Sequence, residues 1–383
     1  MSSSIRYLSL ALCLLTLLPS PTTAFGTPNL ASQFREHEFI TRAALACHTR
    51  DHHPPDCFEP LSLDQLAGRD GTYGAVGSPD IPDPLPEGAE AHCDDADFLD
   101  VPGYPQSREG ATTVLGACVM NLRKRQKEGV RDAARLLDPW GRIVKSEVDV
   151  RNQDCNFIGD FCGRGKCNVL EGFGKVLHGV QDFYSHSNWG DHPGVGPFDI
   201  FNPPGLDMRE MPGFLDLRKK GDLGGEDVPF HLSTGCFSIA IFPCNGRIDH
   251  AALNKDTGDI DPVTGAVGTP TTPRGLLNPD NPDSLNINVN DTNFARAVRF
   301  AIQDTARQWR HFRDELEKTY GADRARVMIC TLTTDEPWRG CQHPVVDHPL
   351  GHQLTDTRNN LKVAGAIAFS YLLSVEQESD GGV

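Results

Sequence analysis

Apolar residues recur at helical spacing along most of the chain, and that pattern predicts a mostly α-helical fold. Phe34, Ile40, Ala44 and Cys47 place one apolar stripe on residues 34 to 47 (FREHEFITRAALAC). Two further stretches, Ala111 to Lys127 and Val130 to Leu137, close at Asp138-Pro139, because proline disfavours helix in the residue before it. The clearest pattern covers residues 167 to 187, with Leu170, Phe173, Val176, Leu177 and Val180 on one side. Residues 291 to 319 open on Asp291 or Thr292 as a cap and run to Gly321 as a stop. A last helix is predicted over Asn360 to Glu376. Between these segments, 188 to 235 and 255 to 290 are rich in Pro, Gly, Asp and Asn without a period, and read as long loops.

The first 24 residues follow a different pattern. Arg6 precedes an apolar run from Leu8 to Leu18, and Pro19, Ser20 and Pro21 lead to Thr22-Thr23-Ala24, small residues of the kind a signal peptidase accepts. The run is too short for a permanent anchor, and Val363 to Val375 is interrupted by Gly365, Ser370 and Tyr371. The expected organisation is a signal peptide over 1–24, a helical domain over 25–345 and a C-terminal helical extension over 346–383. A soluble protein secreted to the extracellular space, with Phe25 at its mature N-terminus, is expected.

Composition changes this picture in three places. At 38% hydrophobic and 23% charged, the chain can bury a large core. Its 36 Lys and Arg against 52 Asp and Glu leave −16 at pH 7, with no basic stripe evident for a long nucleic acid. Eleven cysteines follow Cys13 of the leader, in keeping with an oxidising compartment. Cys47 with Cys57, Cys93 with Cys118, Cys236 with Cys244 and Cys330 with Cys341 are the neighbour pairings. One of Cys155, Cys162 and Cys167 is left over, and spacing alone does not fix the connectivity. Asn290-Asp-Thr292 is a glycosylation sequon and implies a surface position.

Candidate chemistry centres on LHGVQDFYSHSNW, where His178, Asp182 and His186 stand at i, i+4 and i+8 and so share one helix face. Histidine nitrogen and carboxylate oxygen are zinc donors, and Asp182 can bridge two ions held by its histidine neighbours. A surface helix with two histidines is the bland alternative. More donors, Asp80, Asp83, His92, Asp94, Asp95 and Asp97, lie in one loop that lacks the spacing of a calcium loop. His37 sits between Glu36 and Glu38, and His250 with Asn254 and Asp256 repeats the i, i+4 arrangement. Arg42, Lys175, Arg247 and Lys255 lie near these motifs, either as solvated charges or as phosphate contacts.

Taken in order, these residues resemble the zinc-dependent phospholipase C and P1 nuclease superfamily. The likeness is nearest to its Het-C-like and CinY-like secreted members, which show a similar EHE-ITR-AL start and a similar LHGVQDFYSHSNW helix. Matching blocks run in order over residues 25 to 335. The resemblance implies an all-α fold that holds two or three zinc ions in a cleft, where a metal-bound water attacks a phosphate ester. It implies one site from Asp80, His92, His178 and Asp182, with Asp80 and Asp182 catalytic and Asp80 also the base. His186 ends an H-x3-D-x3-H that is two residues shorter than the family pattern. A second site would use the α-amino group of Phe25 and His37. A third would take His250 and Asn254, a neutral residue where the family has a carboxylate, with Asp256 to complete it. The implied substrate is a small phosphate ester, a phospholipid headgroup or a nucleotide phosphodiester. Het-C-like relatives imply the alternative: a non-catalytic, metal-stabilised protein acting in recognition, incompatibility or cell death through a protein partner.

Overall fold

The computed structural model describes residues 35–341 apart from 48–55, 71, 83–85, 160, 238–243 and 279–287. Phe25, Asp83, the 1–24 leader, the helix expected over Asn360 to Glu376 and the 346–383 extension lie outside the described residues. Among the described residues, six helices have eight residues or more: α1 Glu36–Leu45, α2 Pro60–Ala67, α3 Arg108–Asp132, α4 Gly165–His186, α5 Asn293–Tyr320 and α6 Ala322–Thr333. Among the described residues extended pairing is limited to isolated bridges, consistent with an all-α fold.

Local chemistry accounts for the helix ends. Thr292 Oγ1 accepts from Ala295 N at 3.1 Å and caps α5, and Gly321, at φ 79°, ends it in a conformation that suits glycine. Ser107 Oγ caps α3 by accepting from Gly110 N at 3.1 Å. The two stretches expected over 111–137 are one helix, followed by the 3-10 turn Ala133–Leu136. Helix α6 has no counterpart among the expected elements. It restarts directly after Gly321 and buries Val327, Met328 and Leu332. Segment 188–235 has only the short turns Gly213–Leu215 and Gly225–Asp227, yet it places Phe214, Leu215, Leu217 and Leu232 in the core.

Helix α4 is the axis around which the described residues pack, and all of its residues are buried. A helix enclosed on every side needs close neighbours, and two glycines admit them. A Cβ at Gly174 would stand 2.4 Å from the carbonyl carbon of Ala75, and one at Gly179 would stand 2.6 Å from the Ala91 carbonyl oxygen. Ala75 leads into the 3-10 turn Ser78–Asp80, and Ala91 belongs to the short helical turn Ala89–His92. The two glycines therefore let the segments bearing Asp80 and His92 lie directly on α4.

The four neighbour cysteine pairings are all disulfide-bonded, and the fifth bond joins Cys155 to Cys167, with exposed Cys162 outside the five. Cys93–Cys118 ties the His92 turn to α3. Asn290 of the sequon is exposed. Among the described residues, no helix is long and apolar enough to cross a membrane.

Candidate metal centre

His178, Asp182 and His186 form a row along α4, and each is 0% exposed. Burying such a face is costly unless each polar atom meets a partner. The partners come from His37 on α1, Asp80, His92, Asp94 just beyond the His92 turn, and His250 and Asp256 in and after the short turn His250–Leu253.

Asp182 is the hub of the first group. Its Oδ2 lies 2.9 Å from His92 Nδ1 and 3.0 Å from His178 Nε2, and those two nitrogens are 2.9 Å apart. Asp80 Oδ1 stands 4.0 and 3.7 Å from the same nitrogens. Three mutual contacts among two imidazole nitrogens and one oxygen cannot all be hydrogen bonds, because each nitrogen offers either one N–H or one lone pair. A cation among them satisfies all three. Donors bound tetrahedrally at 2.0–2.2 Å stand about 3.3–3.6 Å apart, within the span from 2.9 to 4.0 Å found here.

The other oxygen of Asp182 faces His37 Nε2 at 3.1 Å. Gln181 fixes what that nitrogen carries. Its amide nitrogen donates to Thr41 Oγ1 at 3.1 Å and Thr305 Oγ1 at 3.0 Å, so its oxygen accepts from His37 Nδ1 at 2.7 Å. With the Nδ1 proton so placed, neutral His37 directs its Nε2 lone pair at a carboxylate oxygen, and only a proton or a metal ion reconciles the two. His37, His178 and Asp182 thus form one possible ligand set, and Asp80, His92 and His178 a second.

One turn along α4, His186 Nδ1 lies 3.0 Å from Asp94 Oδ1 and Nε2 lies 3.1 Å from Asp256 Oδ1. His250 packs edge-on against His186, with Nε2 3.8 Å from Asp256 Oδ2. Asp94 Oδ2, Asp256 Oδ2 and His250 Nδ1 are buried without a hydrogen bond, and Asp94, His186 and His250 can converge on one ion. Asp95, Asp97 and Cys236 also approach one another, but Cys236 is in a disulfide and Asp97 is paired with Arg247.

The charges sort by position. Burial disfavours charge on His92, but the hydrogen bond and charge of Asp182, helped by Asp80 and Asp94, push it up to about 9. Burial also opposes charge on His37 and His186. Asp182 holds the first above the ordinary histidine value, and Asp94 and Asp256 hold the second well above it. His178 and His250 go down, through burial and, further, through the neighbouring charge of His37 and His186 respectively. Against the effect of burial, His178, His37 and His186 hold the Asp182 carboxyl well below its usual range. Raised and lowered histidines therefore alternate around carboxylates, an arrangement typical of ion-binding and catalytic sites.

Of the residues singled out in the sequence, His37, Asp80, His92, His178, Asp182, His186, His250 and Asp256 meet in these adjoining groups. Asn254 plays a different part, because its Oδ1 accepts from Asp256 N at 2.7 Å and so orients that carboxylate. Asp182 stands between His37 and the His92–His178 pair rather than between His178 and His186, because His186 turns to Asp94 and Asp256. Gln181 is the addition, and Asp94, one of the loop donors seen in the sequence, is the one that joins His186. The sequence signal for Asp94 is His92-Cys93-Asp94: Cys93, at φ 56° and bonded to α3, turns the chain so that both neighbours reach α4. Complete burial excludes the surface-helix reading. The four cations near the motifs are held by carboxylates instead of solvent or phosphate: Arg42 by Glu38 and Asp64, Lys175 by Glu87 and Glu171, Arg247 by Asp97, Lys255 by Asp191. No family model, curated protein or solved structure matches the chain.

Proposed function

We propose that this chain is a secreted zinc-dependent metallohydrolase of the phospholipase C and P1 nuclease type, acting on small phosphate esters. The observation that carries this reading is the Asp182 carboxylate, whose two oxygens face three histidine nitrogens at 2.9 to 3.1 Å inside the core. Zinc held there would supply a Lewis acid and a water with a pKa near about 7. The protein residues then have separate roles. Asp182 sets the spacing of the histidines, and Gln181 fixes the tautomer of His37. The Asp80 side chain is 22% exposed whereas those of His37, His92, His178 and Asp182 are at most 2%, so Asp80 is the group that reaches solvent and can take a proton from an attacking water. A charge of −16 favours a small or zwitterionic phosphate ester over a polyanion at this centre.

The same burial supports a second reading, a metal-stabilised protein with a recognition role and no turnover. Metal analysis and phosphodiesterase assays on secreted protein and its Asp80→Asn variant separate the two. Bound zinc, wild-type turnover and a loss of about a hundredfold or more in Asp80→Asn with the metal retained support hydrolysis. Zinc-loaded wild-type protein without turnover on phospholipid headgroup or nucleotide esters leaves the structural reading.

A further inference from the structure

Lys and Arg are outnumbered in this chain, yet seven of them line one cavity whose residues include none of the metal groups. Arg123, Lys127 and Arg131 stand at i, i+4 and i+8 on α3, a stripe about 12 Å long at 1.5 Å per residue. Opposite it, residues 217–221 bring Arg218, Lys219 and Lys220 to a shared cavity of about 530 Å³, lined by seven basic side chains and one acidic one, Glu315. This local stripe is the feature that the net charge concealed.

Some of these cations have partners. Arg218 pairs with Asp216 and Asp314, Arg131 with Asp132 and Lys318 with Glu315, while Arg123 donates to the Gly221 carbonyl. Lys127, Lys219 and Lys220 are exposed and have no ion-pair partner among the described residues. Like charges one turn apart on a helix repel, and the facing lysines add to that repulsion. Gln126 supplies a second observation. It is 6% exposed, lines the cavity, and its amide has no hydrogen-bond partner among the described residues.

We propose that this groove binds a short oligophosphate, free or as part of a nucleotide, separately from the metal groups on α4. Three unpaired ammonium groups on two sides of the cavity call for a ligand with at least two phosphates. Lysine is a point charge without the fork of arginine, which suits a phosphate chain that rotates freely. Gln126 offers a neutral donor to a phosphoryl oxygen at the floor. A stripe of about 12 Å is too short for the many phosphate contacts of a long nucleic acid.

The test is calorimetric titration of the zinc-loaded, full secreted chain with inorganic tripolyphosphate and with a nucleoside triphosphate. Saturable binding at the groove is expected, beside the phosphate site at the metal centre, weakening with added salt. This groove component should fall at least tenfold in the Lys127→Gln, Lys219→Gln, Lys220→Gln triple variant, whose substituted residues are all exposed, and persist in Asp182→Asn. Tighter binding of the nucleotide assigns the nucleotide as source, and equal binding assigns the phosphate chain. The proposal is overturned if neither ligand saturates, if sulfate at matched ionic strength binds as tightly, if the triple variant binds normally, or if Asp182→Asn abolishes binding.

Discussion

Replacing Gly174 with alanine tests how the first metal group is held together. In an exposed helix this exchange adds about 1 kcal/mol of stability through helix propensity. At Gly174 the new methyl carbon would sit 2.4 Å from the Ala75 carbonyl carbon and 2.6 Å from Ala75 Cβ. Ordinary contact begins at 3.4 Å, so the two backbones must separate by about 1 Å. Overpacking against yielding side chains costs about 1–3 kcal/mol, and a backbone neighbour puts this site at or above the top of that range. The net expectation is a loss of about 2 kcal/mol or more. The shift also moves the turn bearing Asp80, whose oxygen is 3.7 Å from His178 Nε2, out of reach of a shared ion. Urea unfolding of wild type, Gly174→Ala and Gly116→Ala measures the effect with an internal control. Gly116 lies in α3, where a methyl carbon would meet only Leu223 Cβ, at 3.7 Å, so its alanine variant should gain about 0.5–1 kcal/mol. Zinc should stabilise Gly174→Ala less than wild type. A Gly174→Ala midpoint equal to or above wild type, or undiminished stabilisation by zinc, would refute this account of the site.

Three more expectations follow from the same geometry. Zinc must displace the proton of His92, which titrates at about 9; apparent affinity should therefore climb about tenfold per pH unit from 7 to 9, where an ordinary histidine site has levelled off, and competition titrations showing a flat profile would contradict it. Lys166, buried against Ser62 Oγ and the Thr334 carbonyl at 2.9 Å, has its pKa lowered by burial from 10.5 to about 7. The unfolded chain binds more protons between those values, so this residue's penalty is full below pH 7 and fades as pH rises towards 10.5; Lys166→Met should raise the melting temperature at pH 6 and lose that advantage near pH 10, as thermal scans would show. Asp94→Asn should remove the ion of the His186–His250 group alone, seen as a metal content lower by one per chain with the His37–Asp182 group still loaded.

Periodicity made the long helices readable because α4 and α5 each present an apolar stripe, and the Thr292 cap and Gly321 stop carry their own local chemistry. Helix α6 is hidden because it begins where that stop ends, and α2 is only eight residues long. At the site, helical phase places His178, Asp182 and His186 on one face but cannot say what faces them. Asp94 lies 92 positions from His186 and Gln181 lies 144 from His37, so these contacts exist only after α4 is enclosed. Asn254 matches a ligand by spacing alone; its hydrogen bond to the backbone of Asp256 has no signature at that distance from His250.

The enclosure of α4 also sets how an ion would come and go. A cation among donors this deep cannot exchange with solvent at the rate its affinity alone would allow; it waits for the protein to open. The Asp80 turn is the more accessible door, since the His92 turn is pinned to α3 by Cys93–Cys118. Ions held by the two groups would then leave at different rates, one released to a chelator as the Asp80 turn moves and one, between Asp94, His186 and His250, released only with a larger opening. Retention in such a protein is a matter of residence time, and a dilute, metal-poor medium would strip it slowly and in a fixed order.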